Sequence, residues 1–267
     1  MEIGTIMAAL GLTLVAGLST GVGSLLAFFA KASNTRFLSC ALGLSAGVMV
    51  YVSFMDLLPD SIETLCGLYA GKTAQIYALI AFFVGIGVIA LIDFMIPEDE
   101  NPHEMHSYDE LNDQTSHNHH VKRAGVMVAL AIGIHNFPEG IATFVSALDG
   151  IEVALPIVIA IAIHNIPEGM AVSVPIYYAT GSKVKALRYS FLTGLAEPIG
   201  AAVGALILLP FWNPVIGALL LAFVAGIMVY ISFDELLPGA EQYGHHHMSI
   251  IGVVAGMAIM AGGLLLF

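Results

Sequence analysis

The sequence predicts an all-α polytopic membrane protein with eight transmembrane helices in a 3+2+3 arrangement, spans 1–3 and 6–8 forming an inverted repeat. Three observations predict it. The composition is too apolar for water: 58% hydrophobic against 10% charged, with a mean hydropathy of +0.89. The apolar residues fall into eight runs, each long enough to cross a hydrocarbon core of ~30 Å, which takes about 20 helical residues. Finally, matching stretches recur in spans that cross in opposite senses, the sequence mark of an inverted-topology repeat.

The runs lie at about 4–29, 37–58, 74–96, 124–147, 154–178, 187–209, 214–236 and 248–267, and make residues 1–267 a single transmembrane domain. Glu2 and the lack of a positive segment at the start predict a retained first span instead of a cleaved signal peptide. Orientation follows from the basic residues. Lys31, Arg36, Lys122, Arg123, Lys183, Lys185 and Arg188 fall in or beside odd-numbered connections, and only Lys72 falls in the other set. By the positive-inside rule both termini are expected on the outer, periplasmic side of a cell (inner) membrane.

The third connection, residues 97–123, is the one substantial polar segment. It carries Glu98, Asp99, Glu100, His103, Glu104, His106, Asp109, Glu110, Asp113, His117, His119 and His120. That composition predicts an acidic, histidine-bearing cytoplasmic loop, unstructured or ordered by metal. The net charge of -12 argues against nucleic acid as a partner and for a cationic one. The two cysteines, Cys40 and Cys66, make neither a disulfide framework nor a thiolate site.

Two repeats organise the spans. The stretch from Ala46 to Pro59, AGVMVYVSFMDLLP, matches Ala225 to Pro238, AGIMVYISFDELLP, at a constant offset of 179. In adjacent spans four and five, His135-Asn136-Phe137-Pro138-Glu139-Gly140 answers His164-Asn165-Ile166-Pro167-Glu168-Gly169. A weaker alignment sets Gly17-Leu18-Ser19-Thr20 of span one on Gly194-Leu195-Ala196-Glu197 of span six. A pseudo-two-fold axis in the membrane plane then passes between spans four and five, with the site near the midplane.

Polar residues at that depth need a reason, since a charged side chain at a helix centre costs roughly 2.5–3.5 kcal/mol on insertion scales. Residues i and i+4 share a helix face, so His135 points with Glu139 and His164 with Glu168, flanked by Asn136 and Asn165. His135 lies about 18 Å along a helix from Arg123, near mid-membrane. Pro138 and Pro167 lack an N–H, which frees the carbonyls of Ile134 and Ile163 as further oxygen ligands. Glu197, beside Pro198, adds a third deep carboxylate. A mixed imidazole, carboxylate and amide set suits a borderline divalent cation such as Zn²⁺, Fe²⁺, Mn²⁺ or Co²⁺, and the lack of thiolate argues against Cu⁺. Seven such groups exceed one tetrahedral site, so two metals with bridging glutamates are an option.

Eight spans, HNFPEG, HNIPEG, GLAEP in span six and a histidine-bearing third connection resemble the ZIP (Zrt-, Irt-like) divalent metal transporters, within them the bacterial ZupT-type branch. The resemblance covers essentially the whole chain. It implies a central metal site of His135, Asn136, Glu139, His164, Asn165, Glu168 and Glu197, with metal moving toward the cytoplasm. Asn165 and Gly169 stand where zinc-selective members carry a richer His/Glu motif, which implies a broad range: zinc with iron, manganese, cobalt and cadmium. Bound Zn²⁺ or Fe²⁺ is then cargo, with no cofactor expected.

The span-two and span-seven repeat carries acids at opposite ends of the path. Ser53 and Asp56 are expected to admit the ion; Asp234 and Glu235 to receive it, and to pass it to His245, His246 and His247. An intramembrane metalloprotease would show His-Glu-x-x-His, which is absent. A His/Glu-lined proton or cation channel is the remaining alternative. No Walker-type nucleotide motif is present. The small-residue pairs Gly17/Gly21 and Gly43/Gly47 suit close helix packing, in a homodimer or within one chain.

Overall fold

A computed structural model describes residues 3–29, 35–95, 129, 132–134, 136–148, 150–211 and 213–266. Every regular element among them is helical. In chain order these are α1 (Ile3–Phe29), α2 (Thr35–Cys66), α3 (Thr73–Phe94), α4 (136–148), α5 (Ile151–Thr180), α6 (Lys183–Gly194, continued by Ala196–Leu208), α7 (Pro214–Gln242) and α8 (His246–Leu266). Seven of them are long and apolar enough to cross a membrane; α4 is the described part of the eighth expected span. The acidic loop 97–123 and His135 lie outside the described residues.

The fold is turned inside out relative to a water-soluble bundle. Large apolar side chains such as Phe83, Leu206 and Val254 are exposed, while Asn136, Glu139, His164, Asn165, Glu168 and Glu197 are wholly buried. A bilayer dictates that inversion, because lipid solvates leucine but not a carboxylate. Helix α5 is central, with 76% of its core window buried, against 22% for α3 and α8.

Two helices outrun the spans expected from hydropathy. Helix α2 continues past residue 58 to Cys66 and α7 past 236 to Gln242, because the segments after Pro59 and Pro238 gain polar residues without losing helix. Each proline sits in the first turn of its segment, where its missing N–H breaks nothing downstream. Just before it, each helix widens into one π-helical turn, Ser53–Leu57 and Ser232–Leu236. The two turns are built alike: Leu58 N donates to Ser53 O and Leu237 N to Ser232 O, while Ser53 Oγ donates to Met49 O and Ser232 Oγ to Met228 O, both at 2.7 Å.

The inverted repeat extends to individual contacts. A Cβ on Gly47 would strike the carbonyl of Val253, and one on its mate Gly226 the carbonyl of Phe82. Likewise Gly85 abuts Phe223 O and Gly256 abuts Leu44 O. Helix α2 therefore packs on α8 as α7 packs on α3. Gly17 of α1 and Gly194 of α6, aligned positions of spans one and six, meet backbone to backbone.

All these close approaches fall within two groups of four helices, α1/α4/α5/α6 and α2/α3/α7/α8. Each group draws on both repeats, so the repeats are interleaved and are not separate bodies. Gly17, Gly21, Gly43 and Gly47 meet Gly194, Phe191, Ser249 and Val253 of the same chain. Those small-residue faces pack within the chain.

Candidate metal-transport site

The site forms where α4, α5 and α6 cross α1 and α2. Helix α5 runs unbroken from Ile151 to Thr180 through Pro167. Helix α6 is interrupted at Leu195, where the absent N–H of Pro198 leaves the Gly194 carbonyl without its i+4 donor. That interruption sets Glu197 in the first turn of the following helix.

The final glycine of each motif is a packing residue. Gly140 abuts the carbonyl of Glu197 and Gly169 abuts the carbonyl of Thr20. Since Thr20 is the repeat mate of Glu197, both motifs rest on their neighbours in the same way: α4 on α6 and α5 on α1. Any side chain there would push the two motifs away from the helices they share the site with.

The asparagines obey the same symmetry. Asn136 Nδ2 donates to Thr193 O at 3.4 Å, and Asn165 Nδ2 donates to Ala16 O at 3.1 Å. Thr193 and Ala16 are mates, each directly preceding the paired glycines Gly194 and Gly17. With the nitrogen tied to backbone, each amide holds its oxygen turned the other way. Asn136 Oδ1 and Asn165 Oδ1 are buried and have no hydrogen-bond partner. Leaving such an acceptor unsatisfied costs about 1–3 kcal/mol, and an oxygen carrying no proton can be satisfied by a hydrogen-bond donor or by a cation.

Symmetry ends at the charged groups. His164 Nε2 donates to Glu139 Oε1 at 2.9 Å, joining α5 to α4 with both residues fully buried. Asn165 Nδ2 also makes a very short contact with Glu197 Oε1. No equivalent exists in the other half, where the position is Thr20. Glu168 accepts from Ser45 Oγ of α2 at 3.3 Å, and Ser45 Oγ also reaches His164 O at 3.4 Å. The mate of Ser45 is Val224, so this hydroxyl also belongs to one half alone. Ser45 is the site residue that the sequence does not reveal: it lies in a run of small residues with no motif around it.

The structure thus brings together Glu139 with His164, Asn165 with Glu197, and Glu168 with Ser45, with Asn136 held beside α6. Among the described residues no three His, Cys, Asp or Glu side chains gather closely enough to hold a metal ion.

The residues expected at the ends of the path lie elsewhere. Ser53 and Asp56 are in the π-turn of α2, and Asp234 and Glu235 in that of α7. Ser53 is buried with its hydroxyl committed to Met49 O, whereas Asp56, Asp234 and Glu235 are half-buried. The three histidines diverge: His245 Nε2 pairs with Thr35 Oγ1 at 3.0 Å, His246 Nδ1 with Glu241 Oε1 at 2.8 Å, and the His247 ring packs 5.6 Å from that of His246.

Comparison with known proteins agrees with the architecture. Residues 95–263 match the family model described as the ZIP zinc transporter. The chain is 56% identical to the zinc transporter ZupT of Nitratidesulfovibrio vulgaris over 272 residues, 99% of this chain and 98% of that one. It is 52% identical to ZupT of Clostridium perfringens over 98% of this chain and 96% of the relative, and 56% identical to ZupT of Streptococcus mutans over 96% of each. Transporters, not enzymes, make up this group, and the chain belongs to the ZIP family of multi-pass membrane metal transporters.

Proposed function

We propose that the chain imports divalent transition-metal ions, zinc among them, through a midplane site of His135, Asn136, Glu139, His164, Asn165, Glu168 and Glu197. The observation that carries this reading is the pair of amide oxygens, Asn136 Oδ1 and Asn165 Oδ1. They are buried, partnerless and held symmetrically beside Glu139, His164 and Glu197, in a chain whose relatives are named zinc transporters. A dehydrated cation replaces water ligands with those oxygens and with the carboxylates and imidazole. The hydrogen bonds Glu139–His164 and Asn165–Glu197 open as it binds. The mixed donor set admits iron, manganese, cobalt and cadmium beside zinc, and with His135 and Glu168 the donors are numerous enough for two ions sharing a glutamate.

Both termini face outward in this reading, on the strength of the basic residues in the odd-numbered connections of a cell-membrane protein. Asp56 then stands at the outer end of α2 and admits the ion. Asp234 and Glu235 stand at the inner end of α7 and release it past His245 to His247. Access alternates by displacement of α1/α4/α5/α6 against α2/α3/α7/α8. Close glycine contacts hold each group together, and none of those among the described residues crosses between them. An apolar crevice of about 700 Å³, lined by Ile89, Pro138, Tyr189 and Leu220 among others, separates α3 and α7 from α4 and α6.

The test is metal uptake into proteoliposomes, with Zn²⁺ competing against Fe²⁺, Mn²⁺ and Cd²⁺, for the unaltered chain and for His135→Ala and Glu168→Ala. Uptake is expected in the first and loss in both variants. Normal transport by the variants would overturn the site assignment, and a proton current without metal would favour a channel.

A further inference from the structure

Among the described residues the buried hydroxyls of the spanning helices are of three kinds: those bonded within their own helix, those such as Ser39, Ser45 and Ser190 that donate to another segment of the chain, and those with no partner. In a helix a serine or threonine can donate to the carbonyl three or four residues back, and in a bilayer this is its cheapest partner. Thr13, Ser19, Thr180 and Thr193 do so, at 2.6–2.9 Å, as do the two serines of the π-turns. Thr143 and Ser146 of α4 do not. They are 0% and 2% exposed, and neither hydroxyl has a hydrogen-bond partner.

Their position is what gives this meaning. Asn136, Glu139, Thr143 and Ser146 are spaced i, i+3, i+7 and i+10, one face of one helix. Thr143 lies about 6 Å and Ser146 about 10 Å beyond Glu139 along the helix axis, on the side away from Arg123. With the orientation given above, that is the outer side. The pattern is absent from the repeat mates: the motif offset of 29 carries Thr143 to Val172 and Ser146 to Pro175. Val172 is a fully buried apolar residue, so the scaffold itself does not require hydroxyls here. On α1, Thr20 and Ser24 are another partnerless, wholly buried pair one turn apart, while the partnerless Ser61 and Ser249 stand singly, and from the level of the site α1 runs in the opposite sense.

We propose that Thr143 and Ser146 line the outer half of the metal's path, standing in for water ligands as a divalent cation passes from the external solution to Glu139. The stripe is closed in the conformation described, where both residues are buried. It becomes wet when the site opens outward, and its one-sidedness gives the outer half-path a polar wall that the symmetry-related position lacks. The assignment rests on the transport reading above and on its orientation.

The experiment uses the full chain in right-side-out spheroplasts. Cys66, exposed at the C-terminal end of α2, reports orientation: a membrane-impermeant, positively charged methanethiosulfonate added outside is expected to label it. In a Cys40→Ser/Cys66→Ser background, Thr143→Cys and Ser146→Cys are expected to be labelled from outside and protected by Zn²⁺, and Val172→Cys is not. Separately, Thr143→Val and Ser146→Ala are expected to lower maximal zinc uptake about fivefold, the scale of one lost hydrogen bond. Zinc binding to the purified protein should stay unchanged, and Thr143→Ser should restore uptake. Wild-type uptake in the Thr143→Val/Ser146→Ala double variant overturns the path. So does labelling from the inner side alone, or loss of zinc binding in step with uptake. If the unaltered chain takes up no metal, the transport reading fails instead; the labelling pattern reads water access and does not depend on the cargo.

Discussion

Glu139 Oε1 and His164 Nε2 lie 2.9 Å apart in a fully buried contact that ties α4 to α5, and each residue belongs to a different copy of the same motif. The bond joins the repeat across its axis. Replacing Glu139 by alanine removes this buried partner of the imidazole, and by glutamine leaves it a hydrogen-bond acceptor without the charge. Glu139→Ala is therefore expected to lower thermal stability by about 1–3 kcal/mol, whereas Glu139→Gln keeps most of the stability and loses zinc uptake. Thermal unfolding in detergent alongside uptake separates the two effects; equal stability in both variants would deny the bond a structural role.

Asn165 and Asn136 are mates with unequal workloads. Asn165 Nδ2 serves both Ala16 O and Glu197 Oε1, while Asn136 Nδ2 serves Thr193 O alone. Asn165→Leu is expected to weaken zinc binding at least about tenfold, since it removes one of the proposed ligand oxygens and one of the donors to Glu197. Asn136→Leu removes the oxygen only and should cost less affinity. Isothermal titration with Zn²⁺ on the two purified variants decides, and equal losses would show that the Asn165–Glu197 contact does not hold the site.

Much of this was legible in the residues themselves, because a bilayer removes alternatives. Apolar runs of spanning length can only be helices, and paired polar motifs inside them can only be buried. The repeat offset of 179 likewise foretold that Gly47 and Gly226 would make equivalent contacts. Other features left no pattern to read. The π-turns differ from ordinary helix by one residue of register, and Pro59 and Pro238 read equally well as span ends. Ser45 reaches Glu168 from another group of helices, a distance in sequence that no spacing encodes. The grouping of α1 with α4, α5 and α6 depends on which glycine faces which carbonyl, and composition shows only that glycines are there.

Those glycine contacts make a paired prediction. Gly47→Ala and Gly226→Ala each drive a methyl group into a carbonyl of a neighbouring helix, Val253 and Phe82 respectively. Overpacking of this kind costs about 1–3 kcal/mol, and the two losses should agree because the contacts are the same contact under the repeat. Gly4→Ala, with nothing within 4 Å, is the control and should leave the melting temperature in place. A large difference between the first two variants would mean that the symmetry is one of sequence and not of energetics.

The last prediction concerns the two π-turns, which are alike in backbone and unlike in charge. Each opens on a serine bonded to the carbonyl four residues back, and the leucine just after the turn, Leu58 or Leu237, donates to that serine's carbonyl. Within the turns Met55 answers Asp234 and Asp56 answers Glu235, so one π-turn carries a single acid and the other carries two. An acid at the outer end raises the local concentration of a cation before it binds, so removing it matters when metal is scarce. In the proposed orientation the acid pair Asp234/Glu235 would draw the ion out of the site, so removing part of it is expected to matter at saturation. Asp56→Asn is expected to raise the KM for zinc uptake about threefold with little change in the maximal rate, the modest size reflecting a half-buried, partly screened charge. Glu235→Gln is expected to lower the maximal rate with KM nearly unchanged. Uptake measured across metal concentrations at low and high ionic strength checks both, since the Asp56 effect should shrink as salt screens it. Unchanged rates at limiting metal in Asp56→Asn would remove this acid from the path and leave the π-turn with a structural role alone.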